Sequence, residues 1–253
     1  MTPPHPAPPP AYALDIETDT SAGGLDPRTS RITAIGVAGR GWSRTFTGPE
    51  RALLADADRF LARLAPGLLV TWNGSSFDLP FLVDRAAVAA VPLHLVIDPD
   101  PGLALPHGPA PGHRSAYRGR WWDHEHVDAY LELRPLAHRS VGTARLKAFA
   151  ARHGIECLEP DPTRLHELSP EALRRYVASD ARATLALADH YGLTGTRLGP
   201  LDAGGHPRPD REPRPAEGPL SRPDGRGGDE PPAPAGRPTP AATAPWRPAR
   251  PAA

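Results

Sequence analysis

The sequence predicts an α/β layer fold with a mixed sheet. Three observations carry that expectation. The globular part opens with strand-like runs, YALDIE, then RITAIGVAG and WSRTFTG, the last two separated by a turn at Gly39 to Gly41. ERALLADADRFLARLA follows, with Leu53, Leu54, Ala57, Phe60, Leu61 and Leu64 at helical spacing. A short apolar strand, GLLVTWN, then stands before a second helix, FDLPFLVDRAAVAA. Strands followed by helices, with a strand between the helices, pack as layers around a sheet.

The later elements are read in the same way. Asp98 to Arg120 is rich in Pro, Gly, His and Arg and reads as a long loop. HVDAYLEL reads as a strand or as the start of a helix. Ser140 to His153 and Ser169 to Tyr191 read as helices. The 35 prolines and 24 glycines crowd the ends of the 253-residue chain. Residues 1–10 are proline-rich and expected to be extended and disordered. Residues 200–253 hold too little apolar surface to offset chain entropy and are expected to be disordered as well. Residues 11–199 form the expected globular domain. No internal repeat stands out.

Composition narrows the function. The formal net charge is zero, so the total advertises neither nucleic acid nor membrane, although a local basic groove stays open. The single cysteine, Cys157, excludes an intrachain disulfide and a zinc site of several thiolates, and fits a reducing cytoplasm. No apolar run approaches the roughly 20 residues of a membrane span. The start lacks the basic residues and apolar core of a signal peptide. Arginine carries the positive charge, and Lys147 is the sole lysine.

Against this background the acids are conspicuous. In AYALDIETDT, Ala13, Asp15 and Glu17 share one face of a strand, and Tyr12, Leu14 and Ile16 the other. Buried charges are costly unless paired or bound to a metal. In WNGSSFDLPF, Asp78 stands at a helix start, where it is a candidate cap in competition with Ser75 and Ser76. In EALRRYVASDARATLALADHY, Asp180 falls within an apolar helical face, one turn after Tyr176. It needs a partner: an arginine such as Arg182 or Arg145, or a metal ion. Asp15, Glu17, Asp78 and Asp180 together form a hard-oxygen set suited to Mg²⁺ or Mn²⁺. Two such ions about 4 Å apart neutralise the acids and clamp a phosphoryl group for in-line displacement.

These residues resemble the motifs of the DEDD family of 3′→5′ exonucleases, which have the ribonuclease-H-like fold. The first motif is DIET, with Asp15 and Glu17. The second is Asn-x-x-x-Phe-Asp, here Asn73, Phe77 and Asp78. The third is Tyr-x-x-x-Asp, here Tyr176 and Asp180. The tyrosine points to the DEDDy subgroup, since Arg175 stands where the sister subgroup has histidine. The likeness is greatest to the proofreading exonuclease domain of family-B DNA polymerases and its stand-alone relatives, and covers about Tyr12 to Leu198.

The resemblance implies roles. Asp15, Glu17, Asp78 and Asp180 would hold two Mg²⁺ or Mn²⁺ ions, and Tyr176 would orient the attacking water. Asn73 and Phe77 would touch the terminal nucleotides, Phe77 by stacking. Asp128, in a hydrophobic-Asp-hydrophobic stretch after the second motif, would assist in substrate binding. His124 and His126 share its strand face, and a separate histidine metal site there is the disfavoured reading of the residues themselves. Trp121 and Trp122 read as anchors, and Lys147 as part of a solvated face. The implied activity is removal of nucleoside monophosphates from single-stranded 3′ ends, DNA favoured. Three rivals remain at this point: an exoribonuclease, a silent nucleic-acid-binding module of the same fold, and a scaffold that meets a protein partner through its proline-rich tail.

Overall fold

The computed structural model of the chain describes residues 8–19, 21, 25–103 and 110–195. Residues 1–7 of the expected proline-rich start and the whole tail from residue 200 lie outside them, as does the middle of the expected loop, 104–109. The strands are β1 (Ala11–Thr18), β2 (Ile32–Gly39), β3 (Trp42–Thr47), β4 (Gly67–Thr71), β5 (Leu95–Asp100), β6 (Ala116–Trp121) and β7 (His124–Asp128). They form one seven-stranded sheet in the order β3-β2-β1-β4-β7-β6-β5. β1, β4 and β7 are parallel neighbours, while β2 and β3 on one side and β6 and β5 on the other run antiparallel. Helices α1 (Glu50–Leu61), α2 (Asp78–Val88), α3 (Ala129–Val141), α4 (Leu146–Arg152) and α5 (Pro170–His190) flank it.

The alternation along β1 decides which core each side chain joins. Tyr12, Leu14 and Ile16 pack with Leu53 and Leu54 of α1 and Leu79 and Leu82 of α2. Ala11 and Ala13 face the opposite layer, with Leu133 of α3, Phe149 of α4 and Leu187 of α5. Asp15 and Glu17, two and four residues after Ala13, therefore lie on the α5 side of the sheet. α5 comes very close to that face. A Cβ on Gly36 would stand 2.7 Å from the carbonyl oxygen of Val177, and Gly36 is the β2 partner of Asp15. The opposite layer is tied by a buried ion pair, in which Arg85 Nε donates to Glu50 over 2.8 Å and Glu50 also accepts the Ile32 N–H.

Two expectations need correction. Much of the expected 98–120 loop is strand: β5 and β6 pair as an antiparallel hairpin, with Asp98 opposite Arg118 and Pro99 opposite Tyr117. Proline is tolerated there because β5 is the outer strand of the sheet. From Tyr117 to Trp121 the strand alternates, with Tyr117, Gly119 and Trp121 on the covered face and Arg118 and Arg120 exposed, an alternation hidden in the sequence by the charged and small residues. The region around Ser140 is also not continuous helix. Gly142, at φ 74°, ends α3, and α4 begins four residues later. HVDAYLEL proves to be both candidates in turn, the strand β7 and then the start of α3.

Candidate active site

The site forms at the carboxyl end of β1. The parallel pairing of β1 with β4 ends at Ala13 opposite Val70, so Asp15 and Glu17 lie beyond it, still paired to β2 on their other side. β4 then leads into the loop that carries the second motif. Asn73 takes a left-handed conformation, φ 72°, which asparagine tolerates better than most residues. Its carbonyl accepts the N–H groups of Ser76 and Phe77, both at 3.1 Å. Phe77 is half-buried, with its ring 5.3 Å from that of Phe81. Asp78 follows as the first residue of α2, buried, with its carboxyl accepting the Ile16 N–H.

The third motif arrives from across the sheet. Ser169 caps α5 by accepting the Ala172 N–H at 3.2 Å, and Pro170 occupies the first turn, where its missing N–H costs nothing. One and a half turns further on, the buried face begins with Tyr176 and includes Asp180. Asp15, Glu17 and Asp180 meet there: each offers a carboxylate oxygen, and these lie within 4.8 Å of one another. Asp78 stands outside this trio but within electrostatic reach of Asp15 and Glu17.

Burial raises every one of these acids, and neighbouring carboxylates add to it. Asp15 is held well above the usual carboxylate range by burial, then by Glu17, Asp180 and Asp78. Glu17 is pushed up to about 8, Asp78 to about 7 and Asp180 to about 6, burial leading in each case. Oδ2 of Asp15 and Oδ1 of Asp180 are buried with no hydrogen-bond partner. Buried carboxylate oxygens without partners, in acids this close together, call for a cation. An all-oxygen donor set fits Mg²⁺ or Mn²⁺ rather than a soft metal.

Lys147 corrects the sequence reading most clearly. Instead of lying on a solvated face, it reaches from α4 to α5. Its Nζ donates to the Tyr176 hydroxyl at 2.7 Å, lies 3.3 Å from Oδ2 of Asp180, and sits 4.1 Å from the centre of the tyrosine ring. It is also the cation beside Asp180, in place of the expected arginine; Arg182 donates to Ser43 instead. One signal was available in the sequence: an arginine-rich chain that keeps a single lysine.

Asp128 ends β7 and caps α3. Its carboxylate accepts the N–H groups of Asn73, Ser75 and Tyr130 at 2.9, 2.9 and 3.0 Å, so it fixes the loop of the second motif. The histidines of its strand are engaged separately. His124 Nε2 lies 3.0 Å from the Leu61 carbonyl, and His126 Nε2 lies 2.7 Å from the Thr71 hydroxyl. Burial pushes His126 down to about 4, which keeps it neutral. Neither histidine joins a metal-type cluster among the described residues. Trp121 and Trp122 are anchors, both donating to Asp58.

The family model for the exonuclease domain of DNA polymerase family B matches residues 45–94, the stretch that holds Asn73, Phe77 and Asp78. This chain resembles that exonuclease domain. The fold agrees with a solved structure, the family B DNA polymerase from the hyperthermophilic archaeon Pyrobaculum calidifontis, with a TM-score of 0.58 at 23% identity over 73% of this chain. The ribonuclease-H-like α/β fold expected from the sequence is thereby borne out. The match spans 25% of the polymerase chain. Among the described residues no helix is long and apolar enough to cross a membrane.

Proposed function

We propose that this chain is a DEDDy-type, metal-dependent 3′→5′ exonuclease. It hydrolyses the last phosphodiester bond of a single-stranded nucleic acid, DNA by preference, and releases nucleoside 5′-monophosphates. The observation that carries the reading is the meeting of Asp15, Glu17 and Asp180 within 4.8 Å, two of them with unpartnered buried oxygens. The preference for DNA rests on the likeness to a DNA polymerase exonuclease domain. Cys157, a lone thiol, fits action in a reducing cytoplasm.

Asp15, Glu17, Asp78 and Asp180 would hold two Mg²⁺ or Mn²⁺ ions, which supply charge neutralisation and Lewis acidity at the phosphoryl group. The remaining work belongs to the chain. Burial and the three nearby acids raise the Tyr176 phenol above its usual value, so it stays protonated and cannot serve as the base. Its oxygen accepts from Lys147 and its own proton is directed at Asp180, from where it can turn to a water beside that acid. Tyr176 is thus a hydrogen-bonding guide for the attacking water, and Lys147 fixes both it and Asp180. Asn73 and Phe77 meet the terminal nucleotides, with stacking on Phe77 worth roughly 1–3 kcal/mol. Asp128 acts through them, because its oxygens are committed to their loop.

The test uses 5′-labelled single strands of DNA and RNA with Mg²⁺, Mn²⁺ or EDTA. A ladder shrinking from the 3′ end, dependent on metal and absent in Asp180→Ala, is expected, with DNA the faster substrate. A faster RNA strand would make the chain an exoribonuclease. Intact strands that still bind the protein would reduce it to a binding module.

A further inference from the structure

A groove of about 1070 Å³ runs over the outer face of α5, beside the acids but separate from them. Ser43 and Thr45 of β3 form one wall, Arg174, Arg175 and Arg182 rise from α5, and Lys147 closes the end next to Tyr176. The three arginines are exposed. None is paired with a carboxylate among the described residues: Arg182 donates to the Ser43 hydroxyl at 3.1 Å and Arg174 to Thr47 at 3.4 Å. Neutral hydroxyls steer these guanidinium groups without cancelling their charge. Glu156 and Glu159, on the far wall, are the opposing charges, so the basic side of the groove is the one against β3.

We propose that this groove carries the phosphodiester backbone of the strand whose 3′ end lies in the site. The inference rests on the exonuclease reading and extends it. Arg175 and Arg182 are seven residues apart and share one helix face, with about 10 Å between them along the axis. A run of linked phosphates laid along the helix can meet both. Guanidinium groups with free donors match phosphate oxygens in geometry as well as charge. The groove also answers an electrostatic difficulty. A polyanion approaching four acids is repelled close in, and a basic track alongside holds it there. Contacts of this kind are to backbone only and are sequence-independent.

The triple substitution R174S/R175S/R182S tests this in the full chain. Anisotropy with dT and rU strands of 5 and 20 nucleotides, in Ca²⁺ at graded salt, reads binding. Hydrolysis of the p-nitrophenyl ester of thymidine 5′-monophosphate with Mn²⁺ reads the site itself. The variant should hydrolyse the ester like the parent, which also shows it folded. It should bind the 20-mers and the 5-mers about 10-fold more weakly, because the phosphates of a 5-mer already span the about 10 Å between Arg175 and Arg182. Its log K against log salt slope should fall by about 2, for three phosphate contacts at about 0.7 each on single strands. The dT and rU arms show which sugar the groove accepts. Equal slopes for variant and parent overturn the groove, and weaker binding to polyglutamate alongside them would reassign it to an acidic protein. Failure of the ester and strand reactions in the parent would instead sink the nuclease reading, while the slopes still decide the groove.

Discussion

Lys147 carries the most information per residue in this site. It is a cation reaching among acids, held by a 2.7 Å hydrogen bond to Tyr176 and a 3.3 Å approach to Asp180. Replacing it with methionine keeps the length and loses the charge. The tyrosine oxygen then loses its donor, and Asp180 loses the cation that holds its pKa down. If Lys147 positions the phenol and the acid, Lys147→Met should lower single-turnover cleavage by roughly 10²–10³-fold, the range for loss of one positioned polar group at a reacting centre. Strand affinity in Ca²⁺ should change less than 3-fold. A large loss of affinity with unchanged cleavage would place the lysine on the strand rather than on Tyr176.

At the scale of elements, what matters is how close α5 lies to the sheet. The approach of Val177 to Gly36 brings Asp180 beside Asp15. Gly36→Val sets a branched side chain against a backbone carbonyl, an obstacle that cannot rotate away. α5 must move outward, and the trio opens. The expected outcome is a folded protein by circular dichroism, with cleavage reduced at least 10-fold and a raised Mn²⁺ requirement. Wild-type cleavage would show that α5 accommodates the methyl groups elsewhere. Much of this element-level design is legible in the sequence. Period-two alternation places Asp15 and Glu17 on one face, and helical spacing places Tyr176 above Asp180. The hairpin of β5 and β6 is not legible, because Pro99, Gly119 and two exposed arginines mask its alternation. Nor is the reach of Lys147, which depends on the packing of a seven-residue helix against one that starts 24 positions later in the chain. Short helices lack enough turns to mark a face, and long-range contacts leave no local trace.

For the whole molecule, the site is a source of instability that pH and metal should expose. Asp180, Asp78 and Glu17 titrate near 6, 7 and 8 in the fold, and Asp15 is raised too. In the unfolded chain the same groups titrate near 4. The folded state therefore binds more protons between those limits. Its advantage is complete below about pH 4 and is lost as pH rises through 6 to 8. His126, pushed down to about 4, acts in the opposite sense: its contribution is present above about pH 6.5 and fades as pH falls toward 4. The four raised acids outweigh the two depressed histidines, His126 and His153, above pH 6. In EDTA, the melting temperature should therefore decline from pH 6 to pH 8.5. Asp15→Asn removes one repelling charge and should raise the metal-free melting temperature at pH 8 by about 2–8 °C, taking 1–2 kcal/mol at about 2–4 °C each for a domain of this size. Mn²⁺ should stabilise the parent more at pH 8 than at pH 6, because its ligands must lose their protons to bind it. The same ion should add little to Asp15→Asn. Thermal melts across that pH range, with and without Mn²⁺, check all three signs. A parent whose metal-free stability rises from pH 6 to pH 8.5 would mean that the acids are not the strained group the geometry makes them.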